Sequence, residues 1–206
     1  NESDTVVIVS DILSEIFGYD KYSEITSEYS IKKTWCDLAI KIEGKIRFLI
    51  EVKAIGLELK SDHIKQVVDY GANLGTEWVI LTNGIKWKIF KIIFGKPIEN
   101  ELVYEFDLLT INTKKASDID LLYYVSKESL GKSALEDFHS QKQILNKYFI
   151  GQILMTDTIL DSIRKTLRKI SPEAKIDNEE ILEVITLEVL KREILDGEKA
   201  DEAKKK

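Results

Sequence analysis

An α/β (α+β) fold, with a mixed central β-sheet flanked by helices and a helical C-terminal region, is what this 206-residue sequence predicts. Three observations carry the prediction. Residues 35–54, WCDLAIKIEGKIRFLIEVKA, alternate apolar and polar side chains around Gly44 and read as a hairpin. WVILT (78–82), Asn83-Gly84 and IKWKIFKI (85–92) read as a second hairpin. Between them Ile64, Val67, Val68 and Gly71 share one helical face, so Ile46 to Thr82 is strand, helix, strand, which favours a right-handed crossover between parallel neighbours.

The remaining elements follow in order. TVVIVSDILSEIF (5–17) sets Val9, Ile12, Leu13 and Ile16 at helical spacing and stops at Gly18. Ser30 to Lys33 lead into the first hairpin, and Ser61 is the expected cap of the middle helix. Beyond Pro97, Glu101–Phe106 is a candidate edge strand. From about Ser117 the pattern is helical, which places a boundary near residue 114: residues 1–114 as one domain, 115–206 as a helical region for assembly or docking. Breaks are expected at Ser129–Lys132 and at Ser171-Pro172, where proline suits a first helical turn. Residues 178–195 carry apolar side chains too widely for one seam, which leaves a side for another subunit in a homo-oligomer. The closing DGEKADEAKKK is expected to fray.

Composition narrows the chemistry. A 44% hydrophobic content suffices for a full core. No apolar run approaches the roughly 20 residues that span a bilayer, and the N-terminal order is not that of a signal peptide, so a cytoplasmic protein without a membrane partner is expected. Cys36 alone forms no internal disulfide, and with only His63 and His139 there is no Cys/His zinc set. Any metal must be held by oxygen. The net charge of -6 argues against gripping nucleic acid through charge alone, although Lys86, Lys88, Lys91 and Lys96 offer a local basic stripe.

Asp37, Glu51 and Lys53 interrupt the first hairpin. A three-residue loop at Glu43–Lys45 pairs Ile42 with Ile46, Ile40 with Phe48, Leu38 with Ile50 and Cys36 with Val52, matching all apolar partners. That register sets Asp37 opposite Glu51 on the other face, with Cβ atoms roughly 4.5 to 5.5 Å apart, and Lys53 two residues along. Paired carboxylates repel and raise a pKa unless a cation joins them. Magnesium accepts one or two carboxylates with waters and phosphate, and a neighbouring lysine can assist the attacking water. A lone Glu-x-Lys on a strand usually marks a solvated face or an ion pair; Asp37 in matching register shifts the reading toward a metal site. Ala39 and Leu49 among these charges imply a partly covered face.

Cys36-Asp37, Glu51-Val52-Lys53, Gln66-x-x-x-Tyr70 and Thr82-Asn83-Gly84 with Trp87, in this order over residues 1 to about 105, resemble the PD-(D/E)xK nuclease superfamily, and more closely the N-terminal nuclease domain of type I restriction enzyme restriction subunits. The resemblance implies a restriction-endonuclease-like fold in which Asp37, Glu51 and the backbone carbonyl of Val52 bind Mg2+, with Mn2+ able to substitute, and Lys53 is catalytic. It implies a further acid on the first helix, for which Glu2, on the inward stripe with Val9, is the candidate. It implies that Gln66 and Tyr70, stacked four residues apart, contact DNA. Cys36 stands where the family has proline. No G-x-x-x-x-G-K-[ST] loop occurs, so no ATP site and no motor are expected in this chain.

The sequence therefore favours a Mg2+-dependent DNA endonuclease that hydrolyses phosphodiesters, with DNA and other restriction-modification subunits as partners. The alternative is a non-catalytic DNA-binding or assembly module that retains the nuclease fold. A third reading makes the hairpin charges a plain surface network and the C-terminal helices an oligomer interface.

Overall fold

The computed structural model describes residues 1–31 and 34–205. Helix α1 (Glu2–Glu15) opens the chain, starting earlier than the apolar periodicity suggests because the Asn1 side chain accepts the Asp4 N–H at 2.9 Å. Its inward side is Thr5, Val9, Ser10 and Leu13. Strands β1 (Ile25–Ile31), β2 (Thr34–Ile42) and β3 (Lys45–Val52) lead to helix α2 (Ser61–Leu74), followed by β4 (Trp78–Thr82), β5 (Lys86–Ile93) and β6 (Glu99–Asp107). The N-cap position of α2 is Lys60, whose N–H donates to His63 Nδ1 at 3.3 Å; the side chain of Ser61, the expected cap, lies outside the described residues.

The sheet has six strands in sequence order. Every neighbouring pair is antiparallel except β3 and β4, which run parallel across the α2 crossover, so the sheet is mixed as predicted. The edge strand β6 is slightly longer than Glu101–Phe106. β1 was not foreseen: ITSEYSI is mostly polar, which suits the opposite edge of the sheet.

On one side α2 covers a cluster that includes Ala39, Leu49, Val67, Tyr70, Val79, Leu81 and Ile92. Gly71 lets helix and sheet approach closely, since a Cβ there would collide with Ile92 Cδ1 and lie 3.0 Å from Val79 Cγ1. Near α1, Phe17 meets Trp87 edge-on at 5.3 Å, and Trp87 stacks on Phe106 at 6.0 Å. The Tyr19 hydroxyl donates to the Val125 carbonyl at 2.8 Å, and burial drives its pKa up.

The two hairpins differ in detail from expectation. The β2–β3 loop holds two residues, not three: Ile42 pairs with Lys45, and Glu43 and Gly44 both have positive φ, 51° and 81°. These angles suit the primed turn that matches strand twist. A bulge then takes up Arg47, and the predicted pairs Ile40–Phe48 and Leu38–Ile50 are restored. In the β4–β5 hairpin the loop is longer than the Asn-Gly pair suggests. Thr82 pairs with Trp87, and Asn83 Oδ1 accepts the N–H groups of Ile85 and Lys86 at 3.1 and 2.8 Å.

Residues beyond β6 are helical, from α3 (Ala116–Tyr123) and α4 (Lys127–Gly131) to α5 (Ala134–Ile144). The chain forms two compact units, Asn1–Asp137 and Phe138–Lys206, with α5 crossing the division. In the second unit α6 (Lys147–Leu154), α7 (Asp157–Ile170) and α8 (Asn178–Val184) precede a π-helical turn at Ile185–Val189, then α9 (Arg192–Leu195) and α10 (Glu198–Lys204). Leu160, Ile181 and Ile185 are its buried centre, while Val184, Leu187 and Val189 are exposed. The tail expected to fray is helical, with Ala200 and Ala203 buried; the small residues let the last turns pack. Among the described residues no helix is long and apolar enough to cross a membrane.

Candidate active site

The charged residues of the first hairpin meet where β2, β3 and the start of α1 converge. β2 supplies Asp37, the end of β3 supplies Glu51 and Val52, and Lys53 follows at once. Lys53 is held by its own backbone, whose N–H donates to the Thr82 carbonyl at 2.8 Å. The next residues are anchored from two directions. The Ile55 N–H donates to Thr5 Oγ1 at 3.0 Å, and Asn83 Nδ2 donates to the Leu57 carbonyl at 2.9 Å. Thr5 and Asn83 are both buried, and sequence reasoning did not assign them this positioning role; a polar residue on the inward stripe of an amphipathic helix was the available signal at Thr5.

The β2–β3 ladder ends at Leu38 and Ile50, one pair short of setting Asp37 against Glu51. The Asp37 carboxylate replaces the missing link: its Oδ2 accepts the Val52 N–H at 2.7 Å. Cys36 departs from the expected alternation. It lies in the α2-side cluster with Ala39 rather than facing Val52, and its Sγ contacts the carbonyls of Leu38 and Ile50. Glu28, in the strand opposite, has φ 50°, so the strands are locally distorted beside Asp37. Burial drives the Cys36 thiol pKa up to about 12, which leaves it inert as a nucleophile.

Glu51 is 2% exposed. Its Oε1 accepts from Lys53 Nζ at 2.7 Å, and its Oε2 is buried with no hydrogen-bond partner. Burial raises its pKa to about 7, the Lys53 hydrogen bond opposes the rise, and the charges of Asp37 and Glu2 add to it. Burial also raises Asp37, against the pull of the Val52 N–H. For Lys53, burial works to lower the pKa, but the hydrogen bond and charge of Glu51 outweigh it and the net direction is up. Lys53 Nζ also lies 3.6 Å from Glu2 Oε1. The structure thus brings Asp37, Glu51, Lys53 and Glu2 together, three carboxylates to one ammonium.

Gln66 and Tyr70 form a separate pair on α2, with Gln66 Nε2 donating to the Tyr70 hydroxyl at 2.9 Å. Tyr70 is buried in the α2-side cluster and Gln66 is exposed. The lysine stripe does not form one cationic surface. Lys88 pairs with Glu105 and Lys91 with Glu77. Lys86 and Lys88 open instead onto a cleft of about 500 Å³ shared with Glu58, Glu105, Asp107 and Asp118, which contains none of Asp37, Glu51 and Lys53.

A family model, the N terminus of the type I restriction enzyme R protein, matches residues 8–122. The chain belongs to this family. The match includes Asp37, Glu51, Lys53, Gln66 and Tyr70, and it begins after Glu2. Membership gives the chain a restriction-related role. Comparison with curated proteins and with solved structures gave no significant match.

Proposed function

We propose that the chain is a Mg2+-dependent DNA endonuclease domain of restriction-endonuclease-like, PD-(D/E)xK type, with Mn2+ able to replace Mg2+. The single observation that carries this reading is Glu51: a buried carboxylate with one oxygen unpartnered, beside a second carboxylate and a lysine. Such a group is costly unless something binds it. The donor set suits a hard divalent cation, which keeps several waters and needs few protein oxygens. Among the described residues no cluster of three or more His, Cys, Asp or Glu side chains is placed to hold a metal, so Asp37, Glu51 and the Val52 carbonyl are the proposed ligands, while Glu2 lies beside Lys53 at 3.6 Å.

The ion supplies Lewis-acid stabilisation of charge at the phosphate. Lys53 holds its proton beside the site and offsets negative charge that develops on the phosphoryl oxygens. Asp37, fixed by the Val52 N–H, presents its carboxylate without a rotamer search. Gln66 and Tyr70 are proposed to position the DNA strand, and other restriction-modification subunits are proposed partners. A second reading, a DNA-binding or assembly module without catalysis, is favoured by the direct Glu51–Lys53 pair, which partly satisfies both groups without metal.

The test is nicking of supercoiled plasmid in Mg2+ or Mn2+ by the native chain, Asp37→Ala and Lys53→Ala. Loss in both variants is expected; equal nicking by all three assigns the activity to a contaminant. Calorimetry with Mn2+ that shows no binding, together with no cleavage, gives the second reading.

A further inference from the structure

Charge is segregated within the second unit, Phe138–Lys206. From Arg164 to Lys175 the sequence has five cations and one acid, Glu173, whereas from Asp177 to Val189 it has five acids and no cation. The division follows the helices, with the cations on α7 and the turn after it and the acids on α8 and its flanks. Between the two helices lies an open groove of about 450 Å³, walled by Ile163, Leu167, Ile176, Ile181 and Val184 and rimmed by Lys175 and Glu180. Arg164 pairs with Asp161 at 2.8 Å, but among the described residues Lys175 and Glu180 make no ion pair with each other or with any other group. Glu180 Oε2 accepts the Asp177 N–H at 3.1 Å, which leaves its charge without a counter-ion. α8 and the π-helical turn carry apolar side chains on two sides. Ile181 and Ile185 are buried in the unit, while Val184 and Leu187 are 55% and 70% exposed beside the groove or beyond it.

We propose that this groove is closed by a second copy of the same chain: two α8 helices cross about a two-fold axis, Val184 and Leu187 of each copy cover the groove of the other, and Lys175 of each meets Glu180 of its partner. The charges select this occupant. Because the rim holds one cation and one acid, whatever closes the groove has to bring apolar side chains flanked by both signs. The chain itself carries that combination. A wholly acidic helix would satisfy Lys175 but face Glu180 with like charge, and a nucleic-acid backbone or anionic membrane would meet the five acids from Asp177 to Val189. A two-fold arrangement uses the same patch on both copies, so each complementary contact is made twice. The proposal does not depend on the nuclease reading of Asp37, Glu51 and Lys53.

The experiment is sedimentation equilibrium of the full chain over a range of concentrations, where the native protein is expected to dimerise reversibly. Val184→Asp sets a charge into the apolar contact and should raise the dimer Kd about thirtyfold or more. Since Val184 is exposed in the single chain, thermal unfolding of that variant at low concentration should match the native monomer. Lys175→Glu and Glu180→Lys each give the two rims like charge and should each weaken the dimer about tenfold or more. Mixed in equal amounts, these two variants should associate again, because an all-acidic rim then meets an all-basic one. Glu180→Lys also removes the capping contact to Asp177, so Val184→Asp, which leaves that contact intact, decides independently. A native chain that stays monomeric at every concentration, whether or not it binds a foreign protein, overturns the proposal. A dimer indifferent to Val184→Asp overturns it too, as do folded Lys175→Glu and Glu180→Lys chains that fail to associate on mixing.

Discussion

The carboxylate of Asp37 accepts the backbone N–H of Val52 at 2.7 Å, a side chain standing in for a ladder hydrogen bond where the pairing of β2 and β3 stops. One group therefore joins the strands and faces the site. Asp37→Asn retains an acceptor for the Val52 N–H but loses the charge. Plasmid nicking should fall by about 10² or more while the urea midpoint stays near the native value. Asp37→Ala leaves the N–H unpaired and should also cost about 1 to 3 kcal/mol of stability, read from the same urea titration.

Glu51 makes metal-free stability depend on pH. Its folded pKa of about 7 lies above the ordinary 4.5. Between these values the native chain keeps a proton that the unfolded chain has released, so stability falls as pH rises through this window and levels off above it. Asp37, raised as well, acts in the same direction. Thermal unfolding in EDTA should show Tm falling by a few degrees from pH 5 to pH 8. If the proposed site holds Mg2+ through the ionised carboxylates, the ion should reverse the fall at pH 8. Glu51→Gln should flatten both effects; a Tm that climbs from pH 5 to pH 8 in EDTA contradicts the assignment.

Glu43 occupies a left-handed conformation, φ 51°, in the first position of a two-residue turn. Asparagine tolerates that region better, and Asn-Gly is the preferred pair for such a turn. Glu43→Asn should stabilise the chain by about 0.5 to 1 kcal/mol, measured by urea unfolding, without changing DNA cleavage.

Gly71 permits the close contact of α2 with the sheet. An added methyl meets Ile92 Cδ1, Val79 Cγ1 and the Thr76 carbonyl, so Gly71→Ala should lose about 1 to 3 kcal/mol despite alanine's better helix propensity. The urea midpoint should drop, and a rise would mean that the helix sits further from β4 and β5.

Most strands and the central crossover were legible because apolar alternation along 35–54 and 78–92 leaves few registers that keep both faces consistent. The parts that were not legible have local causes. β1 carries little apolar signal, since an edge strand has one flank in water. The bulge at Arg47 allows a two-residue turn and the expected register to coexist, so counting residues across the loop gave the wrong turn. The reversal of Cys36 depends on distortion near Glu28 in the neighbouring strand, which no spacing rule contains. For the site, residue types and order were visible, and so was the meeting of Asp37, Glu51 and Lys53. The orphaned Glu51 oxygen and its proton near neutrality arise from burial by the whole fold.

β1 to β3 and β4 to β6 are each runs of consecutive antiparallel strands, and within the sheet only the parallel β3–β4 edge unites them. Glu51 and Val52 lie on that seam, level with Leu81 and Thr82. Each half can zip from nearby residues, but the seam closes only after the intervening helix has been folded back, the entropically slow kind of step. The final setting of Lys53 is thus a late product of folding: a chain arrested before the halves dock would keep most of its hairpins but would lack the bond from the Lys53 N–H to the Thr82 carbonyl.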